Sequence, residues 1–189
     1  MKKSIVKIKL NSRADFVEAL SEVDFNFSRP YWQHDRIFVP KNYSRDKSMP
    51  RLSLRTIVKD PKKDATYAIV LRRHFDDKKI DIVNSVIVKD YTEAAHIVYQ
   101  LGYELKVEIS RRREELDMGN SIKVYIDKID NLPGFYAKIE SDLGDNDDPL
   151  ATREDLISTF KVLGVNRNTP VDQTYGELLD SSEHETIAG

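Results

Sequence analysis

The chain has 189 residues, with 30 Lys and Arg against 32 Asp and Glu, a formal net charge of −2 and no cysteine. This length supports a sizeable hydrophobic core. The slightly acidic balance argues against a general nucleic-acid binder, and the absence of cysteine excludes disulfides, thiolate metal sites and cysteine nucleophiles. The four histidines (His34, His74, His96 and His184) lack metal-ligand spacing. No apolar run approaches the roughly 18 residues of a membrane span, and the start MKKSIVKIKLNSRADF has no secretory h-region. The expectation is a cytoplasmic protein with neither a nucleic-acid nor a membrane partner.

In chain order, residues 3–10 alternate as a strand, with Val6, Ile8 and Leu10 on one face and Ile5, Lys7 and Lys9 on the other. NSRADFVEAL (11–20) reads as a helix capped by Asn11 or Ser12. In FNFSRPYWQHDRIFVP, Pro30 blocks a regular central strand and RIFV is strand-like. Trp32 is expected to pack at a barrel mouth, and His34 and His74 to be surface or capping residues. KNYSRDKSMP reads as a loop. LSLRTIV (52–58), TYAIVLRR (66–73) and KKIDIVNSVIV (78–88) are strands with short links. YTEAAHIVYQL (91–101) is a helix capped by Asp90 and stopped by Gly102. YELKVEISRRRE (103–114), SIKVYIDKI (121–129) and FYAKIES (135–141) are further strands. After the acidic loop DLGDNDDP, a helix runs over 152–164 with Thr152 as cap, and a shorter one over about 171–180. Residues 1–180 are read as one domain and 181–189 as a disordered tail.

Cations recur on one face of strand after strand: Lys7 and Lys9 two apart, Arg51 and Arg55 four apart with Ser53 between them, Arg111 and Arg113 two apart, with Arg72, Lys123 and Lys138 on others. The opposite faces are largely apolar. A wet outer face gives the same alternation, but such a face mixes acids and bases, and this set is mostly cationic. If the sheet closes on itself, these residues line a lumen, where arginine forks suit phosphate oxygens. Glu108, Glu114, Glu115 and Asp81 are expected to offset part of the charge.

The order of motifs resembles the CYTH superfamily, which includes class IV adenylate cyclases, thiamine triphosphatases and inorganic triphosphatases. SIVKIKL stands where the family has an ExExK strand. WQHDRIFVP is similar to its Gln-x-Asp strand, LSLRT to its LRxR strand and YAIVLRR to a strand ending in a cation. ISRRREEL resembles its K-x-R strand, VYIDKIDNLPGFYAKIE its D-x-x-x-x-LG-x-F-x-E-I-E segment, and LISTFKVLGVNRNTPVDQTYGELL its closing segment. The resemblance implies an α+β fold, an eight-stranded antiparallel β-barrel or tunnel with flanking helices. It implies a triphosphate-bearing small molecule as partner: ATP-like, thiamine triphosphate or inorganic polyphosphate. Its phosphate-binding residues would be Lys7, Lys9, Arg55, Arg72, Arg111, Arg113, Lys123 and Lys138.

The departures fall on the metal site. The glutamates of ExExK are replaced by Ile5 and Lys7. The first Glu of E-I-E falls on Lys138 if the NLPGF loop is one residue longer, or on Ala137 without that shift, so it is lost either way. Only Asp127 and Glu140 remain as metal candidates, for Mg or Mn if any metal is used. Lysine in place of carboxylate repels a dication and attracts phosphate. The expectation is a triphosphate binder related to class IV adenylate cyclases, with metal-dependent catalysis weakened or lost. The alternative is an active adenylate cyclase or triphosphatase with a reduced metal site. A β-rich domain with an unrelated partner is a third reading.

Overall fold

The computed structural model describes residues 1–22, 24–43, 48–165 and 169–187, with backbone only for 183–187. Eight strands and four helices follow in the order β1 (Lys2–Leu10), α1 (Arg13–Ser21), β2 (Tyr31–Pro40), β3 (Arg51–Val58), β4 (Thr66–Phe75), β5 (Ile80–Val88), α2 (Tyr91–Gln100), β6 (Tyr103–Gly119), β7 (Ile122–Ile129), β8 (Phe135–Leu143), α3 (Pro149–Val162) and α4 (Tyr175–Ile187). The strands close into one antiparallel barrel in the order β1-β5-β4-β3-β2-β6-β7-β8. The expected eight-stranded α+β architecture is the observed one.

Alternation decides which face is buried against what. Val6, Ile8 and Leu10 of β1, Leu116 of β6, Val124 and Ile126 of β7, and Ala137 and Ile139 of β8 point out of the barrel. Phe16 and Leu20 of α1 and Leu156 and Phe160 of α3 cover them. A second outer core packs α2, through Ala94, Ala95 and Val98, on Phe38 and Leu54. The apolar faces of the strands thus serve a shell of helices, and their polar faces turn inward.

Local chemistry sets the ends. The Ser12 hydroxyl accepts from the Asp15 amide at 3.2 Å and starts α1. Asp90 caps α2 through the Glu93 amide at 3.0 Å, as the sequence indicates. Thr174 and Glu177 form a capping box at α4: the Thr174 hydroxyl accepts from the Glu177 amide at 3.2 Å and the Glu177 carboxylate from the Thr174 amide at 2.6 Å. A Cβ at Gly176 would lie 3.1 Å from Val107 Cγ1, so a small residue lets α4 sit close on β6.

Several boundaries differ from expectation. β2 begins at Tyr31, directly after Pro30, because a proline before the first strand residue removes no ladder bond. β6 continues to Gly119, where positive φ angles at Gly119, Asn120 and Ser121 turn the chain. α3 begins at Pro149 with Asp148 as cap, and the Thr152 hydroxyl instead donates to the Asp148 carbonyl at 2.9 Å. α4 starts at Tyr175 and continues to Ile187. Of the loop KNYSRDKSMP, residues 44–47 lie outside the described residues. Trp32 is on the outer face and 51% exposed instead of packed at a mouth. Among the described residues, no helix is long and apolar enough to cross a membrane.

Candidate functional site

The register places the polar faces of the strands in one enclosed space. Lys7 stands opposite Lys138, and Ile5 opposite Glu140. Arg113 stands opposite Asp127, Arg55 opposite Asp35, and Arg51 opposite Arg72. Of the sequence-predicted phosphate ligands, Lys7, Arg111 and Arg113 are buried; Arg55, Arg72 and Lys138 are partly exposed inner-face residues. Lys9 and Lys123 share this face but stand nearer the rims: Lys9 is exposed, and Lys123 pairs with Glu115 at 3.2 Å.

Much of this charge is internally matched. The Asp35 carboxylate accepts from Arg55 Nε at 2.7 Å, from Arg111 Nη2 and from Gln33 Nε2 at 2.7 Å. Burial pushes the Asp35 carboxyl up, but the two guanidinium groups hold it well below the usual range. The Asp127 carboxylate is fully buried, accepts from Arg113 Nε and Nη2 at 2.6 and 2.7 Å, and accepts from the Tyr175 hydroxyl at 2.8 Å. Burial opposes its ionisation, Arg113 outweighs burial, and its pKa falls to about 2. The Glu140 carboxylate accepts from Lys3 and Lys138, each at 2.7 Å, and from the Tyr125 hydroxyl at 3.1 Å.

Two tyrosine rings carry four of the cations. Tyr125 lies under Arg113 (4.5 Å) and Lys138 (4.2 Å), and Tyr175 under Lys7 (4.4 Å) and Arg111 (5.3 Å). Each such contact contributes on the order of 1–2 kcal/mol when desolvated. Tyr175 comes from α4, which packs Leu178 and Leu179 with Ile109, Ile129, Leu132 and Tyr136 and closes over one end of the barrel.

Other cations are matched less fully. Lys7 donates to the Gln173 backbone carbonyl, and desolvation lowers its pKa from 10.5 to about 8. Lys138 is lowered to about 8 by the same cause, despite Glu140 beside it. Arg72 Nε is 4.0 Å from Asp81. Arg111 Nε is buried and has no hydrogen-bond partner among the described residues.

The sequence identified the cations better than their partners. Glu108 and Glu114 lie on the outer face, where they pair with Arg36 at 2.9 Å and Arg13 at 2.6 Å. Glu115 and Asp81 do face inward. Asp35, Gln33, Tyr125 and Tyr175 were missed. Strand spacing could have placed Gln33 and Asp35 on one face, and Tyr125 on that of Asp127. His74 lies on the inner face, 3.5 Å from Asp81, while His34 is outside and hydrogen-bonded to Ser110 at 2.7 Å.

No protein-family model matches the chain. It is 23% identical over 179 residues to a protein of Methanocaldococcus jannaschii named "putative adenylate cyclase", covering 92% of this chain and 95% of that relative. A solved Vibrio parahaemolyticus structure, also named a "putative adenylate cyclase", matches with a TM-score of 0.75 at 15% identity, over 94% of this chain and 97% of the other. A Hippeastrum structure described as a "putative adenylyl cyclase" with a dominant triphosphatase activity matches with a TM-score of 0.62 at 12% identity, over 96% of both chains.

The fold is the one these solved structures share, in keeping with the resemblance to the CYTH superfamily.

A CYTH relationship implies a divalent metal held by lumen carboxylates, and the residues of this chain do not fit one held jointly by Asp127 and Glu140. The register sets Asp127 opposite Tyr136 and Glu140 opposite Lys123, an offset of four residues, or about 13 Å along the strands. Each carboxylate is already bonded to cationic side chains. Among the described residues, no group of three or more His, Asp or Glu converges as a metal site.

Proposed function

We propose that this protein binds a triphosphate-bearing anion in its CYTH-type lumen without needing a divalent metal, with metal-dependent turnover weakened or lost. The observation that carries this reading is the saturation of the inner carboxylates by the chain's own cations. Asp35, Asp127 and Glu140 accept from Arg55, Arg111, Arg113, Lys3 and Lys138. Lys138 stands on Glu140 at 2.7 Å and places a positive charge where the CYTH resemblance implies a metal-binding carboxylate. Lys7 and Arg72 supply further charge whose present partners are a carbonyl and a distant carboxylate. Phosphate oxygens accept charge-assisted bonds from such groups. ATP-like molecules, thiamine triphosphate and inorganic polyphosphate share this chemistry, and the names of the relatives support it.

The test is thermal stabilisation by tripolyphosphate in EDTA and in Mg²⁺. The expected result is stabilisation of similar size in both; stabilisation only with Mg²⁺ or Mn²⁺ overturns the reading. Lys7→Gln with Arg72→Ala should weaken binding on the order of tenfold or more, since each hydrogen bond to a charged group contributes about 1.5–3 kcal/mol. Arg113 is a poor probe because its loss strands the buried Asp127 carboxylate.

A second reading is an active enzyme using a metal with the ligand's own oxygens. The triphosphatase activity ascribed to the Hippeastrum neighbour favours it. Incubation with ATP and Mg²⁺ or Mn²⁺ distinguishes cyclic AMP and pyrophosphate, the cyclase products, from ADP and phosphate. Turnover to either set would establish the enzyme.

A further inference from the structure

At one seam of the barrel, β1 and β5 pair at only three positions, Lys2↔Ile82, Lys3↔Asp81 and Ser4↔Ile80. One step further, Met1 and Val83 exchange both backbone bonds: the Val83 amide donates to the Met1 carbonyl at 2.9 Å, and the Met1 amino group to the Val83 carbonyl at 3.3 Å. Val83 therefore turns its N–H and C=O toward the β1 side. Alternate residues of an extended strand turn the same way, so Ser85 and Ile87 do too. Among the described residues no strand lies beside them, although the other edge of β5 is paired with β4 as far as Val88.

The side chains sharpen the anomaly. Val86 is 58% and Ile87 75% exposed, on opposite faces of the strand. Residues 82–88, IVNSVIV, contain no charge and no proline, the usual devices that protect an edge. An open, uncharged, apolar edge is a template for strand addition.

The geometry points to this edge as a pairing surface for a second copy of the chain, with β5 of one protomer antiparallel to β5 of its partner across a two-fold axis at Val86. The edge is its own complement. In that register Ser85 faces the partner's Ile87, and Ile87 faces the partner's Ser85, which satisfies both open residues of each protomer with four backbone hydrogen bonds. Val86 meets the partner's Val86, Asn84 meets the partner's Val88, and no like charges oppose. The added strand stops at the partner's Val88, one residue before it would meet the position Met1 occupies. The turn into the Asp90-capped α2 falls at that point. This inference is independent of the anion site.

The chain has no cysteine, so Val86→Cys introduces a single thiol. Directly opposed non-hydrogen-bonded residues have Cα atoms about 4.5 Å apart, within disulfide range. Mild oxidation should cross-link Val86→Cys into dimers, while Val162→Cys, on the 85% exposed α3 position, should remain largely monomeric. The unmodified protein should sediment as a dimer with rising concentration. Val86→Arg, which sets two guanidinium groups on the axis, should sediment as a monomer with unchanged circular dichroism. A monomer at every concentration, cross-linking of Val86→Cys no faster than of Val162→Cys, or a Val86→Arg dimer would overturn the proposal.

Discussion

Asp127 shows how much of the lumen is held by single residues. Its two oxygens accept from both arms of Arg113 and from Tyr175, and it is fully buried. Asp127→Asn leaves the Arg113 guanidinium buried without its counter-charge, and breaking such a pair costs about 3–5 kcal/mol. Urea unfolding should show a loss of that size. The linkage follows the same pair. Because its folded pKa is depressed to about 2 from 3.8, its stabilisation is present above pH 4 and is lost as pH falls through 2. At this scale the sequence was half legible. A period of two assigns a side chain to a face, so Lys7, Arg111, Arg113 and Lys138 were found. Their matching could not be read the same way, since Asp35 pairs with Arg111 across 76 positions and Tyr175 reaches Asp127 across 48.

The elements were legible wherever one face is apolar. β1, β7 and β8 alternate because their outer faces meet α1 and α3, and one wrong register would send Lys7 into that core. Boundaries were harder, and α3 shows why. Pro149 follows an acidic run and reads as loop, yet proline is favoured in a first helical turn because its missing N–H is not needed there. Asp148 then serves as cap, accepting from the Leu150 and Ala151 amides at 2.8 and 3.3 Å. Asp148→Ala should cost about 1 kcal/mol by thermal or denaturant unfolding, within the range for lost caps. Thr152→Ala, at the position sequence favoured, should cost less. Leu156→Ala on the same helix empties a site only 2% exposed and should cost about 2–5 kcal/mol.

At the scale of the whole molecule, the lumen sets two pH effects against each other. Lys7 and Lys138 have pKa values near 8 in the fold against 10.5 in an open chain. Between those values the unfolded chain binds more protons, so these groups add stability as pH rises. Below pH 8 the cost of burying both charges is present in full. The unliganded protein should therefore gain stability from this pair between pH 8 and 10, while its affinity for tripolyphosphate declines. Melting curves with and without tripolyphosphate would show the two trends diverge, and Lys7→Gln with Lys138→Gln should flatten the first. The closure of one barrel end by Tyr175, Leu178 and Leu179 has a further consequence. A tube stoppered at its base admits guests by the same door through which they leave. A long linear phosphate chain could not thread through it, so its grip should level off with chain length once the blind depth is filled, the remaining units trailing in water.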